Sequence, residues 1–290
     1  MNNLTALTVV IPAYNEQQSV GLVITDLMQT LKGQSIDFEI LVVDDGSDDN
    51  TAIVSEKAGA TVLSVPANMG YGLSLRRGIL AAKHEHILIC DADGTYPAQS
   101  ATKLLELASH FDMVVGQRTG QYFKSNGFKS SMRWGLRIFS SFVVGRPVPD
   151  VNSGFRIFRK AQVLKYFRIL SSGFSFTTGL TLAMMSDGLA VYFLPISYGR
   201  RSGKSKIKTV RDSLRILQVL VQAVVRHNPL KLFLLPVIAL SVSGVSALVV
   251  AIVWWNTLWL LISAVLLTGS ITVFALGLVA ESLRTRTIDE

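Results

Sequence analysis

Cysteine is almost absent from this chain, with Cys90 the single example in 290 residues. One cysteine excludes an intramolecular disulfide and a thiolate metal cluster. Two nucleotide-binding fingerprints are also missing. No G-x-G-x-x-G follows the first apolar run, and no G-x-x-x-x-G-K-[ST] occurs anywhere. The sequence therefore argues against a dinucleotide site of the Rossmann type and against a P-loop.

Charge is missing from a long stretch near the C-terminus, since no charged residue lies between Leu232 and Ala280. This length suits two membrane spans of about 20 residues each. Trp254–Trp259 lies at the midpoint and contains Asn256, so it is predicted to form the tip of a hairpin at the membrane interface. A buried core hairpin is the alternative, although a core helix of a soluble domain rarely lacks a polar face.

The flanks of this apolar stretch predict its orientation. Arg226 and Lys231 precede it, and Arg284 and Arg286 follow it. Basic flanks stay in the cytoplasm, so we expect a multi-pass protein of the cell (inner) membrane with both termini cytoplasmic. The first apolar run has no basic segment before it and leads directly into Pro12, so we expect no secretory signal and a cytoplasmic location for the residues that precede the hairpin.

Acidic residues are scarce in one region. Residues 150–231 hold 14 Lys or Arg and 3 Asp or Glu, whereas the rest of the chain holds 14 basic and 17 acidic residues. A basic region just before a membrane hairpin favours an anionic bilayer surface or an anionic lipid substrate. Nucleic acid is the competing partner, and we expect none because no nucleic-acid-binding motif is present.

Residues 5 to 118 alternate short β-rich runs with helical patterns. Strands are predicted near 7–12, 38–44, 61–65, 86–91 and 113–117, and helices near 17–32, 51–58, 71–83 and 98–110, with Pro97 starting the last helix. Strands separated by helices predict an α/β fold with a mainly parallel sheet.

Two later segments are predicted from composition and periodicity. Residues 119–149 contain several Gly and Pro residues, which predicts an irregular mobile lid or acceptor loop. Residues 209–226 carry apolar residues on one helical face and polar residues on the other, which predicts an amphipathic interfacial helix. A helix packed on the catalytic domain explains that pattern nearly as well. We therefore expect a catalytic domain at 1–208, an interfacial helix at 209–229, two spans at 230–283 and a tail at 284–290.

Polar clusters follow three of the predicted strands. Asp91-Ala92-Asp93 comes directly after an apolar run, and its two carboxylates at i and i+2 suit Mg²⁺ or Mn²⁺, which take oxygen ligands. A solvated acidic turn is the alternative for such a motif in isolation. Here Asp44-Asp45-Gly46-Ser47 and Pro12–Glu16 follow two earlier strands. An open α/β sheet binds nucleotides at this carboxyl edge.

With these motifs the chain resembles glycosyltransferase family 2, in the branch of dolichyl-phosphate mannose synthase and polyprenyl-phosphate sugar transferases. The matching residues span 8–208 in family order: Val10–Glu16, Val43–Ser47, Asn68–Gly72, Asp91–Gly94, Gly116–Arg118, Ser153–Arg156 and Gly203–Lys206. The resemblance implies a GT-A nucleotide-binding sandwich and an enzyme that transfers sugar from a nucleotide sugar.

The resemblance also implies the donor site. Tyr14 and Asp44 would contact the base, Pro12 and Glu16 would shape the pocket, and Asp45 would lie near the ribose.

The implied metal site follows on the same edge. Asp91 and Asp93, with Ala92 between them, would hold Mg²⁺ or Mn²⁺ on the diphosphate. Asp93 and Arg118 are the implied catalytic residues, because the metal and the arginine would neutralise the leaving group. Many relatives carry Gln where this chain has Thr95, so Thr95 is a candidate third ligand and a water is the alternative.

The implied acceptor is a polyprenyl monophosphate, which needs cations rather than a general base. Arg133, Arg200 and Lys206 match the family's acceptor elements, and Arg201 and Lys204 are further candidates. A solvated surface face is the alternative for each.

Three functions remain open on the sequence. The first is an inverting enzyme that makes a polyprenyl-phosphate sugar from UDP-glucose or GDP-mannose. The second keeps the fold and glycosylates another membrane lipid or a lipid-linked oligosaccharide. The third is a membrane-anchored, non-catalytic nucleotide-sugar-binding protein. Small residues in the spans permit a homo-oligomer.

Overall fold

The computed structural model describes residues 4–120, 127–173, 175–200, 218, 221–222, 224–225 and 228–286. The chain divides into two compact units, Met1–Val219 and Leu220–Glu290. The predicted interfacial helix at 209–226 lies outside the described residues except for five positions between 218 and 225, which are helical. The domain boundaries at 208 and 229 thus stay predictions.

The first unit contains seven strands and seven helices within the described residues. Its strands are β1 Ala6–Ala13, β2 Asp37–Asp44, β3 Thr61–Ser64, β4 His86–Ile89, β5 Met113–Thr119, β6 Arg156–Arg159 and β7 Val191–Ser197. Its helices are α1 Val20–Lys32, α2 Thr51–Lys57, α3 Tyr71–Ala81, α4 Ser100–Ala108, α5 Gly127–Val144, α6 Lys160–Leu164 and α7 Phe176–Ser186.

One sheet runs through this unit in the order β3-β2-β1-β4-β6-β5-β7. All neighbouring strands are parallel except β6, which is antiparallel to both β4 and β5. The prediction of a mainly parallel α/β sheet is therefore confirmed.

The register brings the ends of three strands together. Ala13 at the end of β1 is paired with Asp44 at the end of β2, and Val10 of β1 is paired with Ile89 at the end of β4. Because all three strands are parallel, the polar residues that follow them lie along one edge of the sheet.

Apolar residues cover both faces of the sheet. On one face α1 and α4 bury residues at helical spacing, including Ile24, Leu27 and Leu104. On the other face α3 and α7 bury Ile79 and Leu180 against the strands. Each of these side chains is completely or almost completely removed from solvent, which contributes about 1.5–3 kcal/mol per residue. This two-sided packing holds the sheet rigid beneath its polar edge.

The first five strands and four helices occur where the sequence predicts them. Two helix starts are wrong: α1 begins at Val20 rather than near residue 17, and α4 begins at Ser100 rather than at Pro97. The carbonyl oxygen of Pro97 accepts a hydrogen bond from Ser100 N at 3.0 Å in a turn that precedes the helix. Proline suits this turn as well as it suits a helix start, so the sequence could not separate the two.

The prediction of an irregular loop over 119–149 is wrong for most of that segment, because α5 occupies Gly127–Val144. The helical signal was present in the four-residue spacing of Trp134, Ile138 and Phe142. Gly127 and Gly135 within the helix obscured it, although glycine inside a helix costs only about 1 kcal/mol.

The second unit is a helical hairpin made of α8 Pro229–Trp254 and α9 Thr257–Arg286. The turn lies at the predicted tip. Trp255 adopts the left-handed conformation with φ of 50°, and Asn256 Oδ1 accepts a hydrogen bond from Leu258 N at 2.9 Å. Asparagine favours such a cap at the start of a helix.

Both hairpin helices are long and apolar enough to cross a membrane, with mean hydropathy of 2.4 and 2.2 over their most apolar windows. Only 17% of each window is buried. A core helix of a soluble protein is mostly buried, so this low burial favours a membrane hairpin over a core hairpin.

The two hairpin helices pack through small and hydroxyl residues. The hydroxyls of Ser241 and Ser270 lie 2.7 Å apart, and Ser270 also donates to the carbonyl of Val237 at 3.1 Å. Gly244 lies so close to Leu267 that an added Cβ would be 2.9 Å from its Cγ and Cδ2 atoms. Small residues allow this close approach, as is typical of membrane helices.

Candidate active site

Asp91 and Asp93 follow β4 at the polar edge of the sheet. Ala92 between them is 3% exposed and packs in the core, which turns its two neighbours toward the edge. Asp91 Oδ1 accepts a hydrogen bond from the Tyr71 hydroxyl at 2.9 Å. Asp93 Oδ1 accepts from Thr95 N at 3.1 Å and from Thr95 Oγ1 at 2.6 Å. Thr95, the predicted third ligand, is thus placed as a hydrogen-bond donor to Asp93.

Gly154 closes one side of the Asp91 carboxylate. A Cβ at this position would lie 2.4 Å from both carboxylate oxygens of Asp91, so only glycine fits here without displacing the carboxylate. The backbone N–H of Gly154 donates to the Tyr96 hydroxyl at 2.8 Å. The segment before β6 is thereby fixed against the residues that follow β4.

The donor set fits a hard divalent cation. The described residues contain no group of three or more His, Cys, Asp or Glu side chains that could hold a metal ion. Asp91 and Asp93 would therefore supply two carboxylates, and phosphate oxygens and waters would complete the coordination. Mg²⁺ and Mn²⁺ are commonly bound by one or two carboxylates together with substrate phosphates.

Arg118, near the end of β5, forms a two-pronged ion pair with Asp150. Its Nε and Nη2 atoms donate to Asp150 Oδ2 and Oδ1, each at 2.8 Å, and its backbone N–H donates to Oδ2 at 3.1 Å. Burial acts to lower the pKa of Arg118, but the charge and hydrogen bond of Asp150, together with Tyr96 and Tyr198, raise that pKa well above the usual value. Burial opposes ionisation of Asp150 as well, but Arg118 lowers the pKa of its carboxyl group. Both groups stay charged at neutral pH.

Two tyrosines connect this ion pair to the carboxylates. The Arg118 guanidinium lies over the Tyr198 ring at 5.6 Å from the ring centroid, and Tyr198 contacts Tyr96 edge to face. Burial raises the pKa of Tyr198, and the charges of Asp93 and Asp91 raise it further. Burial raises the pKa of Tyr96 as well, so both tyrosines remain neutral beside Arg118.

Of the predicted acceptor cations, Arg133 and Arg200 lie in the described residues. Arg133, on α5, is partly buried. Burial lowers its pKa, repulsion from Arg118 lowers it further, and Asp150 raises it, so Arg133 lies within electrostatic range of that pair. Arg200 is exposed shortly after β7. The remaining candidates lie outside the described residues: Arg201, Lys204 and Lys206.

The predicted nucleotide-contacting residues lie along the ends of β1 and β2. Pro12 is buried within β1, whereas Tyr14 and Glu16 are partly exposed just beyond it. Glu16 N donates to Thr51 Oγ1 at 2.8 Å. Asp44 Oδ1 accepts from the hydroxyl and the backbone N–H of Ser47.

Asp45 has a different environment from Asp44. Its Oδ1 and Oδ2 accept the backbone N–H groups of Met69 and Gly70 at 3.0 and 2.8 Å. The Asp45 carboxylate therefore holds the turn that leads into α3, whether or not it also contacts a ribose.

Arg156 is a completely buried cation at the start of β6. Its Nε donates to the carbonyl of Ser153 at 3.0 Å, its Nη2 to the carbonyl of Val151 at 3.2 Å, and its Nη1 to Thr181 Oγ1 at 2.8 Å. Burial lowers the pKa of Arg156 to about 10, which leaves it charged at neutral pH. These bonds fix the segment from Asp150 to Gly154 in place.

Three residues of this site have contacts that sequence patterns do not predict: Tyr71, Asp150 and Tyr198. Asp150 had a usable signal, since it is one of only three acidic residues in the basic region 150–231. Tyr71 lies in the Asn68–Gly72 motif and Tyr198 lies just before Arg200, but the contacts of both tyrosines depend on how distant strands pack. Their contributions could not be read from local spacing.

The first unit has the fold of known sugar-transferring enzymes. A crystal structure of glucosyl-3-phosphoglycerate synthase from Mycobacterium tuberculosis, with Mn²⁺, UDP-glucose and phosphoglyceric acid, aligns over 76% of this chain and 79% of its own at a TM-score of 0.61. The two sequences are 20% identical, so this likeness establishes the fold alone. It is a GT-A-like α/β fold, as the sequence predicts.

The family is established by sequence. Residues 8–167 match the family model described as glycosyl transferase family 2, which is more than half of the chain. This protein belongs to glycosyl transferase family 2, and it is a glycosyltransferase.

Its relatives include glycosyltransferases named for lipid-phosphate acceptors. Glycosyltransferase AglJ from Haloferax volcanii is 30% identical over 86% of this chain and 82% of its own length. The dolichyl-phosphate hexose transferase of the same organism is 30% identical over 69% of this chain and 86% of its own. The dolichyl-phosphate beta-glucosyltransferase of Saccharomyces cerevisiae is 28% identical over 74% of this chain and 73% of its own.

Proposed function

We propose that this glycosyltransferase moves a hexose from a nucleotide-diphosphate sugar, of the UDP-glucose or GDP-mannose type, to a polyprenyl monophosphate. The product is a polyprenyl-phosphate sugar with inverted configuration at the anomeric carbon. The observation that carries the proposal is the pair of carboxylates that follows β4, Asp91 and Asp93, together with Arg118, which Asp150 holds over the Tyr198 ring. The names of two relatives, which specify dolichyl phosphate, support the same acceptor class.

The donor half of the site would neutralise a diphosphate. Asp91 and Asp93 would hold Mg²⁺ or Mn²⁺, which supplies positive charge to the diphosphate oxygens when bound. Arg118 would donate to the same leaving group. The two parallel bonds to Asp150 hold the plane of the guanidinium beside the site. Such oriented donors stabilise charge that develops in the transition state.

The transfer step needs no general base. An oxygen of the acceptor phosphate forms a bond to the anomeric carbon while the bond from that carbon to the diphosphate oxygen breaks. The electron pair leaves with the nucleoside diphosphate. The acceptor phosphate is already anionic at neutral pH, so the enzyme needs cations that bind it rather than a base that deprotonates it. Arg133 and Arg200 would provide it, with Arg201, Lys204 and Lys206 as further candidates.

The hairpin would keep the enzyme at the bilayer where a polyprenyl phosphate resides. We propose that α8 and α9 span the cell (inner) membrane, that the first unit and both termini are cytoplasmic, and that residues 209–229 lie at the interface. Basic residues on both sides of the hairpin support this orientation. Purified protein in closed vesicles, treated with protease from outside, tests the orientation.

A donor and acceptor panel tests the proposed reaction. The full-length enzyme in detergent is incubated with UDP-glucose, GDP-mannose and related donors, together with undecaprenyl phosphate, and the products are identified by mass. Undecaprenol, which lacks the phosphate, and diacylglycerol are the matched controls. Product formation with undecaprenyl phosphate, and with neither of the two control lipids, supports the proposal. Transfer to undecaprenol or diacylglycerol at equal rates would contradict it.

The metal site has its own test. Asp91→Asn and Asp93→Asn each remove one carboxylate charge at nearly constant size, and we expect both to abolish transfer while the far-UV circular dichroism stays unchanged. Asp48→Asn, on the loop after β2, is the matched control. Wild-type turnover by both active-site variants in the presence of a chelator would exclude this site.

A further inference from the structure

The hydrogen bond from Tyr71 to Asp91 links α3 to the metal edge. Tyr71 is the first residue of α3, and its hydroxyl donates to Asp91 Oδ1 at 2.9 Å. The same carboxylate also lies against Gly154, where it leaves no room for a Cβ atom. The Tyr71 hydroxyl and the backbone at Gly154 thus restrict the position of the Asp91 side chain.

The position of Tyr71 is itself determined by a second carboxylate. Asp45 accepts the backbone N–H groups of Met69 and Gly70, the two residues immediately before Tyr71. Gly70 has φ of 100°, a conformation that glycine adopts readily and other residues avoid. Asp45 is 4% exposed and follows the last residue of β2, so it is anchored to the sheet.

A continuous set of contacts therefore runs from the end of β2 to the residue that follows β4. Asp45 holds the turn at Gly70, the turn fixes the start of α3, and Tyr71 reaches Asp91 from there. A donor directed at one carboxylate oxygen restricts rotation of the group and determines the direction of the other oxygen. Partners of this kind orient metal ligands in many proteins.

We propose that Tyr71 is a positioning residue that orients Asp91 toward a divalent cation, and that Asp45 acts on the same site by holding Tyr71. The inference rests on the proposed metal site at Asp91 and Asp93. It assigns to Tyr71 a role in metal affinity, and it gives Asp45 a role beyond contact with the ribose.

Mn²⁺ binding tests the inference with a readout other than turnover. Full-length wild type and Tyr71→Phe are titrated with Mn²⁺ in the presence of UDP, and free Mn²⁺ is measured by electron paramagnetic resonance. We expect Tyr71→Phe to bind Mn²⁺ about tenfold more weakly. We also expect its kcat to recover toward the wild-type value at saturating Mn²⁺, because the ligand remains present and only its orientation is less restricted.

A second tyrosine–aspartate pair supplies the matched control. The Tyr166 hydroxyl donates to Asp187 Oδ2 at 2.8 Å, and both residues lie outside the polar edge. Tyr166→Phe deletes the same chemical group and the same kind of bond. We expect it to leave Mn²⁺ affinity within twofold of the wild type, even where it lowers the melting temperature as much as Tyr71→Phe does.

Asp45→Asn is the second variant, and we expect a weaker Mn²⁺ affinity in the same direction. The inference is overturned when the wild type binds Mn²⁺ and both Tyr71→Phe and Asp45→Asn bind it equally well. It is also overturned when Tyr166→Phe weakens Mn²⁺ binding as much as Tyr71→Phe. A wild type that binds no Mn²⁺ with nucleotide present contradicts the proposed metal site, which is a different result.

Discussion

Asp150 holds the Arg118 guanidinium by its edge, with two parallel N–H to carboxylate bonds of 2.8 Å. This geometry fixes the plane of the guanidinium as well as its charge. The two residues are 32 positions apart in the chain, and they meet because the segment before β6 returns to the end of β5. Arg118 is therefore oriented before any substrate arrives.

Asp150→Asn should impair catalysis more than donor binding. The variant keeps an oxygen acceptor but loses the charge that orients Arg118, so we expect kcat to fall at least tenfold while the Kd for UDP changes less than threefold. Breaking a buried ion pair also costs up to about 3–5 kcal/mol of stability. Steady-state kinetics, calorimetry and urea unfolding in detergent provide the three measurements.

The control for Asp150→Asn is Lys83→Gln, which removes an ion pair between an exposed lysine and the partly buried Glu39. Because water screens the Lys83 ammonium, we expect the pair to contribute about 0–1 kcal/mol and both stability and kcat to remain near the wild-type values. A Kd for UDP that rose in parallel with the loss of kcat in Asp150→Asn would place Asp150 in donor binding instead.

The same ion pair predicts how stability depends on acid. Arg118 lowers the pKa of Asp150 below its usual 3.8 in the folded protein. The stabilisation is thus fully present above pH 3.8 and is lost as the pH falls through the lower, folded-state pKa. We expect the difference in unfolding free energy between wild type and Asp150→Asn to be constant from pH 7 to pH 5 and to shrink below pH 4. A difference that grew on acidification would contradict this assignment.

Gly154→Ala should disturb the metal edge. The new Cβ would lie 2.4 Å from both oxygens of Asp91 and would turn that carboxylate away. We expect Mn²⁺ affinity to fall about 10–100-fold, in the range seen when the support of a metal ligand is removed. Gly135→Ala is the control, because no atom lies within 4 Å of its added Cβ. The prediction fails if the two variants bind Mn²⁺ equally.

Arg133→Ala and Arg200→Ala should weaken acceptor use and spare the donor. A well-desolvated arginine–phosphate contact contributes roughly 1.5–3 kcal/mol. Its loss corresponds to a decrease in acceptor kcat/KM of about ten- to more than a hundredfold. Substitution by lysine should restore acceptor use only in part, because lysine keeps the charge but lacks the two parallel N–H donors of arginine. Arg137→Ala, on an exposed position of α5, is the control. Equal losses of donor affinity would place both arginines at the diphosphate.

Gly244→Ala should loosen the hairpin, whereas Gly269→Ala should not. The added Cβ at Gly244 would overlap Leu267 at 2.9 Å, and the nearest atom to a Cβ at Gly269 is 4.0 Å away. Overpacking of this kind costs about 1–3 kcal/mol.

A cross-link between the helices reports the hairpin packing. Ser241→Cys and Ser270→Cys replace hydroxyls that lie 2.7 Å apart, in a background where Cys90 is changed to Ser. We expect rapid disulfide formation, slowed by Gly244→Ala and unaffected by Gly269→Ala. Equal rates of disulfide formation in the double-cysteine protein and in its Gly244→Ala and Gly269→Ala derivatives would show that Gly244 does not determine the helix spacing.

Much of the sheet could be predicted because its signals are local. The first five strands are short apolar runs that end at polar motifs, and periodicity identifies them without knowledge of the tertiary structure. The direction of β6 could not be predicted in this way. Arg156–Arg159 is only four residues long, and a strand carries the same alternation whichever way it runs.

In the candidate site, too, local sequence patterns predict some residues and not others. Asp91 and Asp93 are adjacent in sequence to a strong strand signal, so their placement on the edge follows from the chain itself. The positions of the residues that contact them cannot be predicted from the sequence in this way. Tyr71 is 20 residues from Asp91, and Asp150 is 32 residues from Arg118. Such contacts arise only when strands pair in the observed order, which no spacing rule encodes.

The reversed direction of β6 has a consequence for how the enzyme is assembled. Because β6 runs against β4 and β5, the residues that precede it, from Asp150 to Gly154, arrive at the edge where β4 and β5 end. In an all-parallel sheet they would emerge at the opposite edge. A nascent chain that has emerged only as far as β5 therefore contains both aspartates and Arg118 but lacks the strand that fixes them. We therefore expect the proposed site to be complete only when β6 has paired with both β4 and β5, and non-local pairing of this kind makes folding slow.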